Sequence, residues 1–213
     1  ITTSEFGQDK IYNFKFDPSV AEILSQNNFS LVNLANNHIY DHYSKGVEDT
    51  FYHLKKAGVE HFGGIKIEDS NIIKSVGDKK VAFVGIDETT RPIKLDNFYP
   101  LLQKLKVEND FVVVNIHWGY EYNELPSDIQ INIGHKLIDN GADVVLGHHP
   151  HVIQPVEIYK NGVIFYSLGN FIFDQFSPET KVGLGVGSVL ERDKKTFYLF
   201  PFDIVGGRPK LFD

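Results

Sequence analysis

Residues 143–151, Asp-Val-Val-Leu-Gly-His-His-Pro-His, join a short apolar run to a cluster of three histidines. The run 144–146 predicts a buried strand. Neutral imidazole is a common ligand of zinc and other transition metals. Because Pro150 stiffens the turn and alternate side chains of an extended segment share a face, His149 and His151 can converge on one metal ion or bridge two. The alternative is a polar surface loop.

Two further predicted strands end in side chains that can bind metal. The β-branched run 111–116 precedes His117, and the apolar run 31–34 precedes Asn36, Asn37 and His38. Ligands of α/β sheets lie beyond the carboxyl ends of the strands. A lone histidine at a strand end is more often structural, so the prediction that His117 binds metal depends on its combination with the other segments.

The segment after the first of these strands predicts acid–base chemistry. Asn37 offers an amide oxygen, which is a hard ligand. His38 is followed three residues later by Asp41, a spacing that suits an imidazole oriented and kept basic by a carboxylate. The alternative is an asparagine-rich turn in which these side chains cap the backbone.

The remaining patterns predict one α/β domain over residues 1–213. Its first two thirds alternate strands with helices, including a helix over 128–140 capped by Ser127. Its last third contains hairpin signals at Asn161-Gly162 and Asp193-Lys194. We expect a mixed sheet, or two packed sheets, with helices outside.

Composition excludes several classes of protein. The chain has 213 residues, a net charge of −7 and no cysteine, so it offers no basic stripe for nucleic acid and no disulfide, zinc ribbon or thiol nucleophile. It contains no His-Glu-x-x-His and no Gly-x-Ser-x-Gly motif, which argues against a zinc protease and a serine hydrolase. No apolar run is long enough to span a bilayer. Because methionine is absent, we expect a segment before residue 1.

Three long stretches together resemble one known family. Residues 33–64 (NLANNHIYDHYSKGVEDTFYHLKKAGVEHFGG), 115–122 (NIHWGYEY) and 137–175 (LIDNGADVVLGHHPHVIQPVEIYKNGVIFYSLGNFIFDQ) resemble the bacterial poly-γ-glutamate capsule-synthesis (CapA-type) family. That family is related to the calcineurin-like metallophosphoesterases. The resemblance extends from about residue 16 to residue 213, and it implies a mixed α/β fold: a calcineurin-like β-sandwich flanked by helices.

The resemblance also implies roles for individual residues. It assigns metal binding to four side chains, catalysis to a histidine and its carboxylate partner, and pocket or substrate contacts to a further set. The implied metal ligands are Asn37, His117, His149 and His151; the implied catalytic pair is His38 and Asp41; the implied substrate contacts are Glu121, Gln154, Glu157 and Asn170. His148 ranks below the other histidines because the family fills its position variably. Asn170, Ser167 and Asp174 either contact substrate or hold the hairpin in place. The implied cofactors are divalent metal ions, a pair of Mn, Zn or Fe.

One departure from the family pattern affects the expected metal site. Related phosphoesterases begin with a strand ending in Gly-Asp, and CapA-type proteins add an Asn-x-Glu element. Neither is present. We therefore expect a chain that lacks its N-terminal strand or strands, and weak or single-metal occupancy.

The leading hypothesis is a metal-dependent phosphoesterase-like hydrolase associated with poly-γ-glutamate capsule biosynthesis. The alternatives are a non-hydrolytic factor that binds, anchors or exports poly-γ-glutamate, and a structural module with vestigial histidines. The expected partners are poly-γ-glutamate or a phosphoester substrate and other capsule-synthesis membrane proteins, with no nucleic acid. The expected location is the extracytoplasmic face of the bacterial cell membrane, anchored by a segment absent from this chain, or alternatively the cytoplasm.

Overall fold

The computed structural model describes residues 1–64, 66–90, 95–191 and 194–212. These residues form two compact units, Ile1–His117 and Trp118–Asp213. The single domain expected over 1–213 stays a prediction.

The first unit alternates strands with helices, as the sequence predicts. Its elements are α1 (Ser19–Gln26), β1 (Leu31–Asn33), α2 (Tyr43–Lys56), β2 (Glu60–Phe62), β3 (Asn71–Val76), β4 (Lys79–Asp87), α3 (Phe98–Glu108) and β5 (Phe111–His117). Strands β1 and β2 pair in parallel. Strand β4 pairs antiparallel with β3 and parallel with β5. The unit therefore has a mixed α/β character.

Strands β4 and β5 form the apolar centre of this unit. Val84, Ile86, Val112, Val114 and Ile116 are fully buried. Parallel strands covered on both faces have continuous apolar sequences rather than alternating ones, which explains the uninterrupted run of β5. At the carboxyl ends of these strands, Asp87 and His117 are partly exposed.

The carboxyl ends of β1, β2 and β4 meet at Asn33. A Cβ atom at Gly63, whose φ is +79°, would lie 2.2 Å from Asn33 Oδ1, and a Cβ atom at Gly85 would lie 2.3 Å from the same oxygen. Any larger side chain at either glycine would displace Asn33. Asn33 Oδ1 also accepts a hydrogen bond from the amide of Ala35 at 3.1 Å, which shapes the turn that leads to Asn37.

The second unit is mostly β-structure around a single long helix in its described part. Its elements are α4 (Asp128–Asp139), β6 (Val144–His148), β7 (Val156–Tyr159), β8 (Gly162–Phe165), β9 (Val182–Leu190), β10 (Lys195–Val205) and β11 (Arg208–Leu211). Strand β8 pairs parallel with β6 and antiparallel with β7. Strands β9, β10 and β11 form an antiparallel meander. The predicted cap of α4 is confirmed, since Ser127 and Gln130 form a reciprocal capping box.

The β7–β8 hairpin is confirmed, but its turn lies one residue earlier than predicted. Tyr159 pairs with Gly162, so the turn residues are Lys160 and Asn161, and Lys160 takes the positive φ of +52°. Gly162 belongs to β8, where a Cβ atom would lie 2.5 Å from Ile138 Cδ1. Gly162 is therefore needed for close packing against Ile138 of α4, and not for the conformation of the turn.

The β9–β10 hairpin is also confirmed. Asp193 of its predicted turn lies outside the described residues. Strand β11 follows a turn at Gly206-Gly207 and was not predicted.

Candidate functional site

Asn37 and His117 lie together in the first unit, as predicted. Asn37 follows β1, His117 ends β5, and Asn37 Oδ1 lies 3.0 Å from His117 Nε2. Two ligand atoms that are each about 2.1 Å from one ion, at a right angle, are about 3 Å apart. The amide oxygen and the imidazole nitrogen therefore fit two neighbouring positions around a metal ion.

The side chains of His38 and Asp41 lie in hydrogen-bond contact, which the predicted acid–base pair requires. His38 Nδ1 lies 2.8 Å from Asp41 Oδ2, and Asp41 is only 1% exposed. An ionised carboxylate can only accept hydrogen bonds, so His38 Nδ1 carries the proton and Nε2 is the basic nitrogen. The ring of Phe14 contacts the His38 ring edge-on, with centroids 4.5 Å apart, which limits rotation of the imidazole.

The segment before α1 contributes two partners of Asp41 that the sequence analysis missed. Lys10 Nζ forms an ion pair with Asp41 Oδ1, and the amide of Phe14 donates to Asp41 Oδ2 at 2.7 Å. Burial alone raises the pKa of Asp41, but hydrogen bonds from Lys10, Phe14 and His38 outweigh it, so the pKa lies below its usual value. Asp41 therefore stays anionic and orients His38.

Two carboxylates that the sequence analysis did not single out lie at the end of β4. Asp87 is the parallel partner of His117, and the amide of Glu88 donates to the backbone oxygen of His117 at 2.8 Å. Burial, and then the neighbouring Asp87, raise the pKa of Glu88. Asp87 Oδ1 accepts from the amide and hydroxyl of Thr89 at 3.0 Å and 2.6 Å. The strand-end rule that identified His117 also applies to Asp87.

His149 and His151 follow β6 in the second unit. Both have left-handed backbone conformations, with φ of +98° and +62°, and their ring centroids are 6.2 Å apart. Such conformations cost about 1–3 kcal/mol each in residues other than glycine and concentrate at functional sites. The proline between them does not produce the extended segment that the sequence suggested, because both flanking residues are left-handed.

Asn170 fixes the tautomer of His151. Asn170 Nδ2 donates to the backbone oxygen of Thr180 at 2.9 Å, so Asn170 Oδ1 is the atom that lies 2.7 Å from His151 Nδ1. His151 Nδ1 must then donate, which leaves the lone pair on Nε2. Histidine ligands of metals are held in this way by a hydrogen bond to the other ring nitrogen. The predicted contact of Asn170 with substrate stays a prediction.

The ring of His151 is flanked by two aromatic side chains that the sequence analysis missed. Tyr122 stacks on it at a centroid distance of 6.1 Å, and Phe173 lies 5.1 Å away. Burial lowers the pKa of His148 to about 4. It is therefore neutral at physiological pH.

Gln154 and Glu157, two of the predicted substrate contacts, are each hydrogen-bonded within the protein. Gln154 is 1% exposed; its Oε1 accepts from Gln130 at 3.0 Å and its Nε2 donates to the backbone oxygen of Asn123 at 2.7 Å. Glu157 accepts from Tyr166 Oη at 2.6 Å and lies 2.9 Å from His135 Nε2. The Tyr166 hydrogen bond lowers the pKa of Glu157, and the weaker contribution of His135 adds to it against the effect of burial.

Three further residues of the family motifs, Glu121, Ser167 and Asp174, differ in their exposure to solvent. Glu121 and Asp174 are exposed. Ser167 is buried, and its hydroxyl accepts from the amide of Gly169 at 3.3 Å.

Comparison with known proteins identifies the family. The model of the family described as "Bacterial capsule synthesis protein PGA_cap" matches residues 1–175. The chain belongs to this family. The capsule biosynthesis protein CapA of Bacillus anthracis is 37% identical over 95% of this chain and 54% of its own length. The PGA biosynthesis protein CapA of Bacillus subtilis is 32% identical over 94% of this chain and 58% of its own length. The chain thus spans little more than half the length of these relatives.

Solved structures show the same fold at low sequence identity. A hypothetical protein from Thermus thermophilus has a TM-score of 0.59 and 18% identity, and the likeness covers 87% of this chain and 82% of that one. A putative 5'-nucleotidase from Staphylococcus aureus, in complex with alpha-ketoglutarate, has a TM-score of 0.57 and 15% identity, over 85% of this chain and 39% of that one. The predicted mixed α/β fold is confirmed, and it is consistent with a calcineurin-like fold.

The donor set of the described residues fits a metal ion only if amide oxygen is included. Across 1–64, 66–90, 95–191 and 194–212, no group of three or more His, Cys, Asp or Glu side chains is arranged to hold a metal ion. Asn37 and His117 provide two adjacent donor atoms in the first unit. His151 provides an oriented imidazole in the second. Each unit by itself therefore contains oriented donor atoms.

Proposed function

We propose that this capsule-synthesis family member is a metal-dependent phosphoesterase-like hydrolase. The observation that carries the proposal is the 3.0 Å approach of Asn37 Oδ1 to His117 Nε2, next to a histidine that is hydrogen-bonded to a buried carboxylate. The sequence neighbours Asn37 and His38 thus combine a metal-ligand atom with an acid–base group.

Asn37 and His117 would hold a divalent ion, and His149 and His151 are the further predicted ligands. Imidazole together with amide oxygen suits Zn, Mn or Fe. Bound ions of this kind supply positive charge that stabilises the oxygens of a phosphoryl group. A pair of ions stays a prediction for this chain.

His38 would move the proton in the reaction. With Nδ1 donating to Asp41, a proton bound at His38 Nε2 can pass to the leaving oxygen of a phosphoester. The anionic Asp41 stabilises the protonated ring of His38. The positive charge of Lys10 compensates the charge of this buried carboxylate. The low exposure of Asp41 keeps water away from this hydrogen bond.

A second candidate is a factor that handles poly-γ-glutamate without hydrolysis. The names of the Bacillus relatives, a capsule biosynthesis protein and a PGA biosynthesis protein, favour it. Because the net charge is −7, bound metal rather than a basic groove would have to attract this polyanion. Poly-γ-glutamate binding that requires metal and is displaced by phosphate would support this candidate if hydrolysis is not detected.

We propose a location at the extracytoplasmic face of the bacterial envelope, which the names of the capsule-synthesis relatives support. Other capsule-synthesis membrane proteins as partners stay a prediction. In the described part of the chain, no helix has the length and apolar character needed to cross a membrane. The anchoring segment stays a prediction. Cell fractionation of the natural host, with the protein detected by antibody, tests this location.

The test of the hydrolase is cleavage of bis-p-nitrophenyl phosphate in the presence of Mn²⁺. Replacement of His38 or His117 by Ala should remove most of the turnover, whereas His53→Gln, a change outside the site, should not. Turnover that persists unchanged in His117→Ala and in the double replacement of His149 and His151 would reject the metal role of these histidines.

A further inference from the structure

Four side chains of the second unit, one of which is that of His151, form a closed ring of contacts. His151 Nδ1 donates to Asn170 Oδ1 at 2.7 Å, and Asn170 Nδ2 donates to Gln175 Oε1 at 3.0 Å. Gln175 Nε2 donates to Tyr122 Oη at 3.1 Å. The ring of Tyr122 then stacks on that of His151, at a centroid distance of 6.1 Å and an interplanar angle of 25°. The chain of hydrogen bonds thus returns to the imidazole where it began.

The direction of every hydrogen bond in this ring follows from one backbone carbonyl. The oxygen of Thr180 can only accept, and it accepts from Asn170 Nδ2. This fixes the orientation of the Asn170 amide, so its oxygen faces His151. Asn170 Nδ2 also donates to Gln175 Oε1, so the Gln175 amide must present its nitrogen to Tyr122. An Asn170 or Gln175 amide turned the other way would place like groups against each other.

The backbone of Tyr122 is held as firmly as its ring. Its amide donates to the backbone oxygen of Pro150, the residue before His151, at 2.8 Å, and its φ is +66°. The loop beyond Tyr122 is fixed in turn, because the Gln154 side chain donates to the backbone oxygens of Asn123 and Leu125. Tyr122 is thus attached to the His151 loop at two points.

We infer that Tyr122 and Gln175 are positioning residues that hold the His151 ring with its proton on Nδ1 and its lone pair on Nε2. An unconstrained imidazole exchanges between two tautomers, and the hydrogen bond made by one ring nitrogen decides which is populated. Gln175 provides a second acceptor for Asn170 Nδ2 beside the Thr180 oxygen and so strengthens the required orientation of the amide. Tyr122 accepts from Gln175 and covers one face of the imidazole. The consequence for metal binding rests on the proposed function; the tautomer and the ring orientation do not.

The test compares replacements that break the ring of contacts with replacements that preserve it. Gln175→Leu removes both hydrogen bonds of this side chain. Gln175→Glu preserves them, since a carboxylate accepts from Asn170 Nδ2 and from the Tyr122 hydroxyl. Tyr122→Leu removes stacking and hydroxyl, Tyr122→Phe removes only the hydroxyl, and Tyr120→Leu changes a tyrosine of similar exposure (58% against 50%) two residues away.

Two measurements are made on each variant. Nitrogen-15 NMR spectra of the imidazoles, recorded on metal-free protein above pH 8, report the tautomer of His151. Calorimetric titration with Mn²⁺ reports metal affinity. We expect the wild type, Gln175→Glu and Tyr120→Leu to hold the Nδ1–H tautomer, and Gln175→Leu and Tyr122→Leu to show a mixture with Mn²⁺ binding about tenfold weaker. Tyr122→Phe should lie between the two groups.

The outcomes separate this inference from the proposed function. An unchanged His151 tautomer in both Gln175→Leu and Tyr122→Leu overturns the inference. A shifted tautomer in a protein that binds no Mn²⁺ supports the inference while rejecting the metal-dependent hydrolase. If Gln175→Leu does not fold, as judged by Trp118 fluorescence, Tyr122→Phe carries the test because it keeps the stacked ring.

Discussion

Asn37 and His117 are 80 residues apart in sequence, yet Asn37 Oδ1 lies 3.0 Å from His117 Nε2. Asn37 is placed by the end of β1, whose turn is packed against Gly63 and Gly85. His117 is placed by the end of β5, which pairs in parallel with β4. The contact therefore depends on strands rather than on a flexible loop, which favours a preorganised metal-ligand pair.

The first prediction concerns this ligand pair. Asn37→Leu removes the amide oxygen, so Mn²⁺ affinity measured by calorimetry should fall at least tenfold, on the order expected for loss of a group that supports a metal site. Asn37→Asp should bind Mn²⁺ more tightly than the wild type, because an anionic ligand attracts a dication more strongly. Asn27→Leu, at the end of α1, is the matched control. Equal affinities for all four proteins would contradict the assignment of Asn37.

The strand ends show how much of the site is encoded locally. The sequence shows apolar runs that end within three residues of Asn37, His117 and His149. The sheet brings the ends of such strands to predictable positions. The role of Phe14 was not visible, because its amide reaches Asp41 across 27 residues of chain from a segment without regular structure before α1. No local pattern records such a contact.

The positive φ angles of the histidine loop and of the β7–β8 turn could not be predicted from the sequence either. An extended segment was expected at His149 and His151, but both residues have positive φ. Histidine enters this region less readily than glycine, so propensity argued against what the surrounding contacts impose. The same reasoning explains the hairpin turn, where Lys160 rather than Gly162 takes the positive φ.

The second prediction concerns the buried carboxylate Asp41. Asp41→Asn leaves Lys10 without its anionic partner and weakens the hydrogen bond to His38. Removing one partner of a fully buried pair costs about 3–5 kcal/mol; because Lys10 is partly exposed, we expect about 2 kcal/mol in the free energy of unfolding, measured with urea. The double replacement Lys10→Met, Asp41→Asn should recover part of this loss. A loss below the error of the urea measurement would mean that the pair contributes no stability.

The same carboxylate should produce an acid-dependent loss of stability. Its pKa is lowered in the folded protein, so its contribution is present above the unfolded value of about 3.9 and is lost as the pH falls below it. Urea curves at pH 5 and pH 3 should therefore differ more for the wild type than for Asp41→Asn. Parallel curves for the two proteins would show that another group dominates in acid.

The third prediction concerns His148 and a higher pH range. Its pKa is lowered by burial to about 4, whereas an unfolded histidine titrates near about 6.5. The unfolded state therefore binds the extra proton first, and stability should fall between about pH 6.5 and 4, by at most about 3 kcal/mol. The contribution of this group levels off once the pH lies well below the folded pKa of about 4.

His148→Gln should remove most of this dependence, because glutamine does not titrate. The comparison is made with urea curves of metal-free protein between pH 7 and 4.5, with His53→Gln as the control. A pH dependence that is the same in His148→Gln and the wild type would show that His148 is solvated in both states.

The fourth prediction separates a structural from a substrate-binding role for Gln154. Its side chain is buried and bonded to Gln130 and to the backbone of Asn123. Gln154→Leu leaves the Gln130 donor and the backbone acceptor without this partner, so we expect a loss of about 1–3 kcal/mol in the free energy of unfolding. The KM for a phosphodiester should change less than twofold. A large rise in KM with unchanged stability would instead support the predicted substrate contact.

The fifth prediction tests whether His117 and His151 serve the same metal ions, as the sequence predicts. If they do, the first replacement by Ala already removes most of the binding, so the second has little left to remove. The effects on the free energy of Mn²⁺ binding should then be non-additive by about 0.5–3 kcal/mol. Calorimetric titration of the wild type, His117→Ala, His151→Ala and the double variant measures this coupling, and a second cycle with His53→Gln in place of His151→Ala gives the baseline. Strict additivity of His117→Ala and His151→Ala would mean that the two histidines bind metal independently, and the prediction of a shared metal pair would then be wrong.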